Sequence, residues 1–302
     1  MRDRVLWSIL VLGLALRVAF TACYPYLGGR GDQGLHYALG TLFAEFGPRV
    51  LGHWGPGYEV FLGGIFELFG PNPLSARLAQ IALSVVSIGL VYGVAACAGG
   101  RRAGRVAALL WAVYPTSIVY TAFLYSETLF MTLLLGAIYL VFQGWEREGR
   151  TCSVSAAVLF GLAALTRSVA LYFLPFWIVW AAARRRGPEC RRAAVIFAVG
   201  LAVVLPWTVR NVFRYDGFLL IDGTTAPTLW LAYNTRVINR DLGFRDRASR
   251  FRLRPPAGAT AIRNWSPSRR SVSSFRSFHL PSAASSNPAA SSCERWARPE
   301  SS

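Results

Sequence analysis

The sequence contains no lysine: all 32 basic residues in its 302 positions are arginine, against only 15 acids. Such a bias belongs to a GC-rich coding sequence of the kind common in bacteria. Charge is scarce as well. Only 16% of residues are charged and 54% are hydrophobic, whereas soluble domains run at about 25% charged and 45–50% apolar. That shortage excludes an ordinary soluble enzyme. Cysteine is sparse and scattered (Cys23, Cys97, Cys152, Cys190, Cys293), with no CxxC pair, which excludes a disulfide framework and a zinc site of familiar spacing. The net charge of +17 does not mark a nucleic-acid binder. Residues 1–235 hold 19 Arg against 11 acids, and the last 67 residues hold 13 Arg against 4 acids, so over half the excess lies in under a quarter of the chain.

What is present, up to about Asn234, is a series of long apolar runs separated by short Arg-bearing connections. A bilayer core of about 30 Å takes roughly 17–25 apolar residues per helix. Val5–Cys23, Leu78–Ala98, Val106–Ala122, Thr128–Trp145 and Ala193–Val209 meet that length. Val154–Ala183 would reach about 45 Å as one helix and carries Arg167 near its middle, where a charge is costly. It reads as two short helices meeting at Thr166-Arg167. The spacing therefore predicts an all-α, polytopic bundle of about seven spans. With the N-terminus inside, twelve arginines, including Arg101, Arg102, Arg105 and the Arg184–Arg192 cluster, fall on the cytoplasmic side and seven on the other, as the positive-inside rule requires. The expected location is the cell (inner) membrane, with the first apolar stretch kept as an anchor because it lacks an A-x-A-like end.

Residues 236–302 differ: Arg, Ser, Pro and Ala dominate, with no apolar run. Two readings stay open, a low-complexity disordered tail and out-of-frame translation beginning near Thr235. The domain expectation is a membrane module over 1–235 and this tail over 236–302.

In that topology the loop from Tyr24 to Arg77 lies outside and opens Gly28-Gly29-Arg30-Gly31-Asp32-Gln33. Glycines let backbone approach a ligand closely. Asp32 then precedes a helical pattern, where it can cap the helix or serve a site. His53-Trp54-Gly55-Pro56-Gly57-Tyr58 is an aromatic turn leading into an amphipathic stretch, suited to the interface. Its rings can anchor at the headgroups or stack on a sugar. Glu127, the sole carboxylate between Glu67 and Glu146, is either a first-turn complement to a helix dipole or a functional acid at the membrane edge. It falls on the same side as Asp32.

These residues, in order, resemble a known family. Asp32 with Tyr37, the Gly-Pro-Gly-Tyr turn, Leu68–Gly70, Ala76-Arg77-Leu78, Tyr114-Pro115, Ser126-Glu127, Leu165-Thr166-Arg167 and Pro206-Trp207 before Arg210-Asn211 are similar to the N-terminal membrane part of a GT-C glycosyltransferase. The type is the dolichyl-phosphate-mannose–protein mannosyltransferase superfamily, which includes the lipid A aminoarabinose transferases. The resemblance implies transfer of a sugar from a polyprenyl-phosphate carrier to a lipid, glycan or protein acceptor on the outer face. It implies that Asp32 takes the acceptor proton and Glu127 shapes the site. Gln33, Tyr37, His53, Tyr58 and Asn211 would bind substrate, and Arg167 and Arg210 would hold the lipid phosphate, with Arg17 a third cation. An arginine near a helix end also snorkels to the interface. Gln33 stands where members often carry a second acid, so base chemistry rests on Asp32 alone. Relatives are longer, so the chain reads as truncated. The implied partners are the lipid-linked donor, the acceptor and membrane lipids, with no nucleic acid. No cofactor is required, and a divalent metal stays open. The rival readings are a lipid-linked sugar transporter or flippase, which would show paired repeats and mid-membrane charges, and an inactive truncated family member.

Overall fold

The structure is a computed structural model, and it describes residues 3–24, 31–52, 54–147, 150–172, 179, 183, 187–215 and 218–223. Among them every regular element is helical. The expectation for residues 236–302 lies outside the described residues, as does most of the expected sixth span.

The helices are α1 (Arg4–Cys23), α2 (Gly31–Phe46), α3 (Gly57–Phe69), α4 (Pro73–Val113), α5 (Pro115–Ala122), α6 (Glu127–Arg147), α7 (Arg150–Thr166) and α8 (Gly187–Tyr215), with single 3-10 turns at Gly47–Val50 and Ser168–Tyr172. Four of them, α1, α4, α6 and α8, are long and apolar enough to cross a membrane. The chain is a multi-pass membrane protein. Its outward surface carries large apolar side chains such as Trp7, Val11, Val86, Leu110 and Phe213.

The 41 residues of α4 would measure about 60 Å if straight, twice a bilayer core. They do not run straight. Gly99 and Gly100 leave helical geometry, and Gly100 takes φ +78°, a conformation that costs glycine nothing. Ile88 before the turn packs with Ala108 and Ala112 after it, and with Ile9 of α1. The two halves therefore form a helical hairpin, and the second, shorter arm is followed beyond Tyr114 by α5. The expected span Val106–Ala122 is broken at Tyr114, which is extended (ψ 116°) because the following Pro115 disfavours the helical region for its neighbour. The long run 154–183 is interrupted where its length demanded. Helix α7 ends at Thr166, and Arg167 starts the 3-10 turn, its carbonyl accepting from Ala170 N.

The largest core lies between α6, α7 and α8. Phe130, Leu134 and Val141 meet Ala156, Ala157, Phe160, Ala163 and Ala164, then Ile196 and Val204. Alanines let α7 approach both neighbours closely, the usual route to helix association in lipid.

At one end of the bundle Asp3 caps α1, accepting from Leu6 N at 3.3 Å. It also accepts from Arg105 Nε at 3.2 Å and Tyr92 Oη at 2.9 Å. The bond from Arg105 holds the Asp3 carboxyl below the usual carboxylate range. A depressed carboxyl stabilises the fold above its unfolded value of 3.8 and loses that contribution as pH falls through its folded value. The difference in melting temperature between wild type and Asp3→Asn should stay constant from neutral pH to about pH 5 and close below about pH 4. A difference that grows on acidification would contradict this assignment.

Arg17 neither snorkels nor reaches a surface site. It is fully buried between α1, α4 and α5, donating to Ser84 Oγ (2.6 Å), Gly13 O (2.9 Å), Ala112 O (3.0 Å) and Ser117 Oγ (2.9 Å). A buried guanidinium is tolerable where its donors are satisfied, and this one ties three elements together. Interhelical side-chain bonds in membranes are worth about 0.6–1.7 kcal/mol each. Arg17→Ala should therefore cost roughly 2–5 kcal/mol, read by SDS-titration unfolding. A loss under about 0.5 kcal/mol would remove Arg17 from the framework.

Candidate functional site

At the other end of the bundle an open cavity of about 880 Å³ is bordered by helix ends. The start of α2 contributes Asp32 and His36, the turn before α3 contributes Trp54 and Gly55, and α3 itself contributes Tyr58 and Glu59. Across from them stand Tyr120 of α5, Tyr125 and Ser126 of the α5–α6 link and Glu127 at the start of α6, then Thr166 to Val169 at the end of α7 and beyond it. Asp222, beyond α8, completes the wall.

Asp32 lies in the first turn of α2, exposed, and makes no side-chain hydrogen bond among the described residues. Glu127 opens α6. Its Oε1 accepts from Arg167 at 2.6 Å, while Oε2 is buried without a partner among the described residues. Arg167 also donates to Ser126 Oγ at 3.3 Å. The pair is part-exposed, so its Coulombic worth is modest. Its consequence is geometric: a guanidinium is fixed at the cavity edge with other N–H groups unspent.

The turn Gly55-Pro56-Gly57 is seated directly on the end of α7. A Cβ on Gly55 would lie 2.7 Å from Leu165 O, and one on Gly57 would lie 2.8 Å from Thr166 N. Only glycine permits that approach. The Gly-Pro-Gly-Tyr and Leu-Thr-Arg segments are thus two halves of one contact. Tyr58 is almost fully buried and donates to Gln80 Oε1 at 2.8 Å. Gln80 Nε2 donates onward to Thr121 O and Phe123 O. The Tyr58 hydroxyl therefore braces the cavity floor and is no headgroup anchor.

Other expected site residues stand elsewhere. Gln33 and Tyr37 are on α2 but do not line the cavity. Tyr37 donates to Pro71 O at 2.8 Å and packs on Phe66. His53 lies outside the described residues. Arg210 donates to Gly52 O at 3.1 Å, to Leu51 O and to Asn211 Oδ1 at 3.1 Å, with its guanidinium 4.1 Å over Trp207. Asn211 is fully buried and donates to Leu219 O and Ile221 O. Trp207 Nε1 and Thr208 Oγ1 donate to Ile221 O and Leu220 O. The Pro-Trp…Arg-Asn segment thus clamps two loops, one leading to the aromatic turn and one carrying Asp222.

Sequence reasoning passed over His36, Glu59 and Asp222. His36 had a usable signal, since it follows Asp32 by four residues on one helix face. Glu59 is hidden within an apolar stretch.

A further, more apolar cavity of about 400 Å³ lies between α4, α5 and α6. Trp111, Tyr114, Phe130 and Met131 line it, and it shares Tyr120, Glu127 and Arg167 with the larger one. Among the described residues no group of three or more His, Cys, Asp or Glu side chains is placed to hold a metal ion.

The family model for dolichyl-phosphate-mannose-protein mannosyltransferase matches residues 53–209, over half the chain. The chain belongs to this mannosyltransferase family. The matched stretch contains the aromatic turn, Glu127 and Arg167, while Asp32 precedes it. No curated protein matches the chain. Among solved structures, the Archaeoglobus fulgidus oligosaccharyltransferase in its apo form superposes with a TM-score of 0.59 at 18% identity, covering 93% of this chain and 40% of that one. The same enzyme tethered to an acceptor peptide containing the NVT sequon gives 0.58 at 18%, covering 85% and 37%. Its complex with Zn and sulfate gives 0.60 at 18%, covering 80% and 36%. At that identity the likeness is one of fold, the GT-C membrane bundle, and this chain spans about 40% of the neighbour's length.

Proposed function

We propose that this mannosyltransferase-family chain is the membrane module of a glycosyltransferase. It would move a sugar from a polyprenyl-phosphate carrier to a lipid, glycan or protein acceptor at the outer face of the cell membrane, with its N-terminus in the cytoplasm. The observation that carries the reading is the junction of two unlike cavities at Tyr120, Glu127 and Arg167. A lipid-linked sugar has the same construction: a polar sugar, a phosphate, then an apolar chain. The larger cavity takes sugar and acceptor beside Asp32, Arg167 faces the phosphate, and the apolar cavity receives the first isoprene units.

In the reaction the acceptor O–H proton passes to the Asp32 carboxylate as the acceptor oxygen bonds to the anomeric carbon. The bond from that carbon to the phosphate oxygen breaks, and polyprenyl phosphate leaves with the electron pair. Arg167 meets the charge that grows on the leaving phosphate, and arginine suits phosphate because its donors form a rigid fork. The oligosaccharyltransferase neighbour crystallised with an acceptor peptide, which supports a protein among the acceptors.

The test reconstitutes the full chain in vesicles with [14C]mannosyl-phospho-undecaprenol and total membrane lipid and protein as acceptors. Label should leave the carrier and appear in a second product. Label that crosses the bilayer still attached to its carrier would identify a transporter instead. Cysteines placed at Gln33 and Arg186 should react with impermeant reagent from the outer and the cytoplasmic side respectively. The reverse pattern would overturn the orientation.

A further inference from the structure

We propose that His36, held by Glu59, is the group that relieves Asp32 of its proton; the role rests on the transferase reading above. His36 and Glu59 are both buried, both line the cavity, and His36 Nδ1 stands 3.0 Å from Glu59 Oε1. They come from different helices, α2 and α3. The ring plane is fixed by two edge contacts, to Tyr58 (centroids 4.9 Å, 88°) and to Trp54 (6.0 Å, 80°). His36 follows Asp32 by four residues, so their Cβ atoms sit about 5–6 Å apart on one helix face.

The chemistry follows from donor and acceptor counting. An ionised carboxylate only accepts hydrogen bonds. Against Glu59 the neutral ring must therefore carry its proton on Nδ1, leaving the Nε2 lone pair free to take another. A carboxylate that fixes the tautomer and orientation of a histidine is the general device for making imidazole a base. Nε2 makes no hydrogen bond among the described residues. Glu59 Oε2 is also buried without a partner among the described residues, an expensive condition for a carboxylate. That condition is out of place in a pair serving packing alone.

The step balances. Asp32, protonated during transfer, gives that proton to His36 Nε2. Imidazolium forms against the Glu59 carboxylate, Asp32 returns to its ionised form, and the proton leaves to water with the product. The groups facing the ring are Asp32 on its own helix and Glu59 from α3, with Glu127, Arg167 and Asp222 across the cavity. The hydroxyls of Tyr58, Tyr120 and Tyr125 also line it.

Two readouts test the assignment. The full chain has three histidines, so 15N-histidine labelling in detergent gives a simple long-range 1H–15N spectrum, and His36→Gln assigns the signal. At a pH where the ring is neutral, His36 should show the Nδ1–H tautomer, and Glu59→Gln should lose that fixed signature. An Nε2–H tautomer in wild type would overturn the pairing. In the transfer assay, His36→Gln should lower kcat about 10²-fold with KM little changed and remove one proton from the acid limb of the pH profile. Glu59→Gln should reproduce most of that loss, and Glu59→Asp should restore part of it. A role in packing alone would shift the melting temperature and leave the pH profile unchanged, which would refute the relay. If wild type transfers no sugar, the function and the relay fall together. The tautomer measurement needs no turnover and still decides the pairing.

Discussion

Asp32→Asn should abolish sugar transfer while the protein inserts and melts as wild type does. The amide keeps the shape of the carboxylate but cannot take the acceptor proton. General-base contributions run at about 10²–10⁴-fold, so a rate within a few-fold of wild type would exclude the role. The substitution is clean because Asp32 is exposed in the cavity and makes no side-chain bond among the described residues that folding would miss. Glu127→Gln should be milder in chemistry and broader in effect. It weakens the 2.6 Å contact that fixes Arg167, so the donor KM should rise along with any fall in kcat.

Gly57→Ala should be nearly as damaging for a different reason. Its new methyl would lie 2.8 Å from Thr166 N and 2.9 Å from Thr166 Cα. Backbone cannot swing aside as a flexible side chain can. The end of α7 must therefore retreat, taking Arg167 away from Glu127 and the cavity. Overpacking of this kind costs about 1–3 kcal/mol, and a displacement near 1 Å at a reacting centre can cost about 10²-fold in rate. Gly64→Ala on the same helix is the matched control, since a methyl there meets nothing within 4 Å. It should leave transfer unchanged and can gain about 0.5–1 kcal/mol of helix stability. Equal behaviour of the two variants would show that the α3–α7 contact does not govern the site.

The division of labour between sequence and structure follows from the physics. Spans are written locally, because a membrane helix needs only length and hydropathy. The break at Thr166-Arg167 could be read from an overlong run carrying a charge, and the break at Tyr114 had a local cause in Pro115 that the hydropathy pattern hid. Side of the membrane brought Asp32, Glu127 and Arg167 to one end without saying that they share a cavity. What could not be read was partnership across helices. Arg210 and Asn211 were legible as polar residues near an outer helix end. Only the folded chain shows them donating to Leu51, Gly52, Leu219 and Ile221. Glu59 sits among Tyr58, Val60 and Phe61 and acquires meaning only when α2 brings His36 against it. The aromatic turn was legible through its rings, whereas its glycines serve close packing on Leu165 and Thr166.

Arg17 also constrains the order in which the chain is assembled during synthesis. Its hydroxyl partners, Ser84 and Ser117, lie 67 and 100 residues further on. When the ribosome has delivered α1 alone, neither exists. The guanidinium must then stay hydrated at the headgroups, about 9 Å from Cys23 along the helix at 1.5 Å per residue. It can turn inward only once the hairpin of α4 and the start of α5 have entered beside it. Helix α1 is therefore seated only after partners that are made later than itself. Chains arrested before residue 117 should hold α1 displaced toward the leaflet at its Cys23 end, and cysteine labelling along α1 in ribosome-bound intermediates would record the moment it sinks.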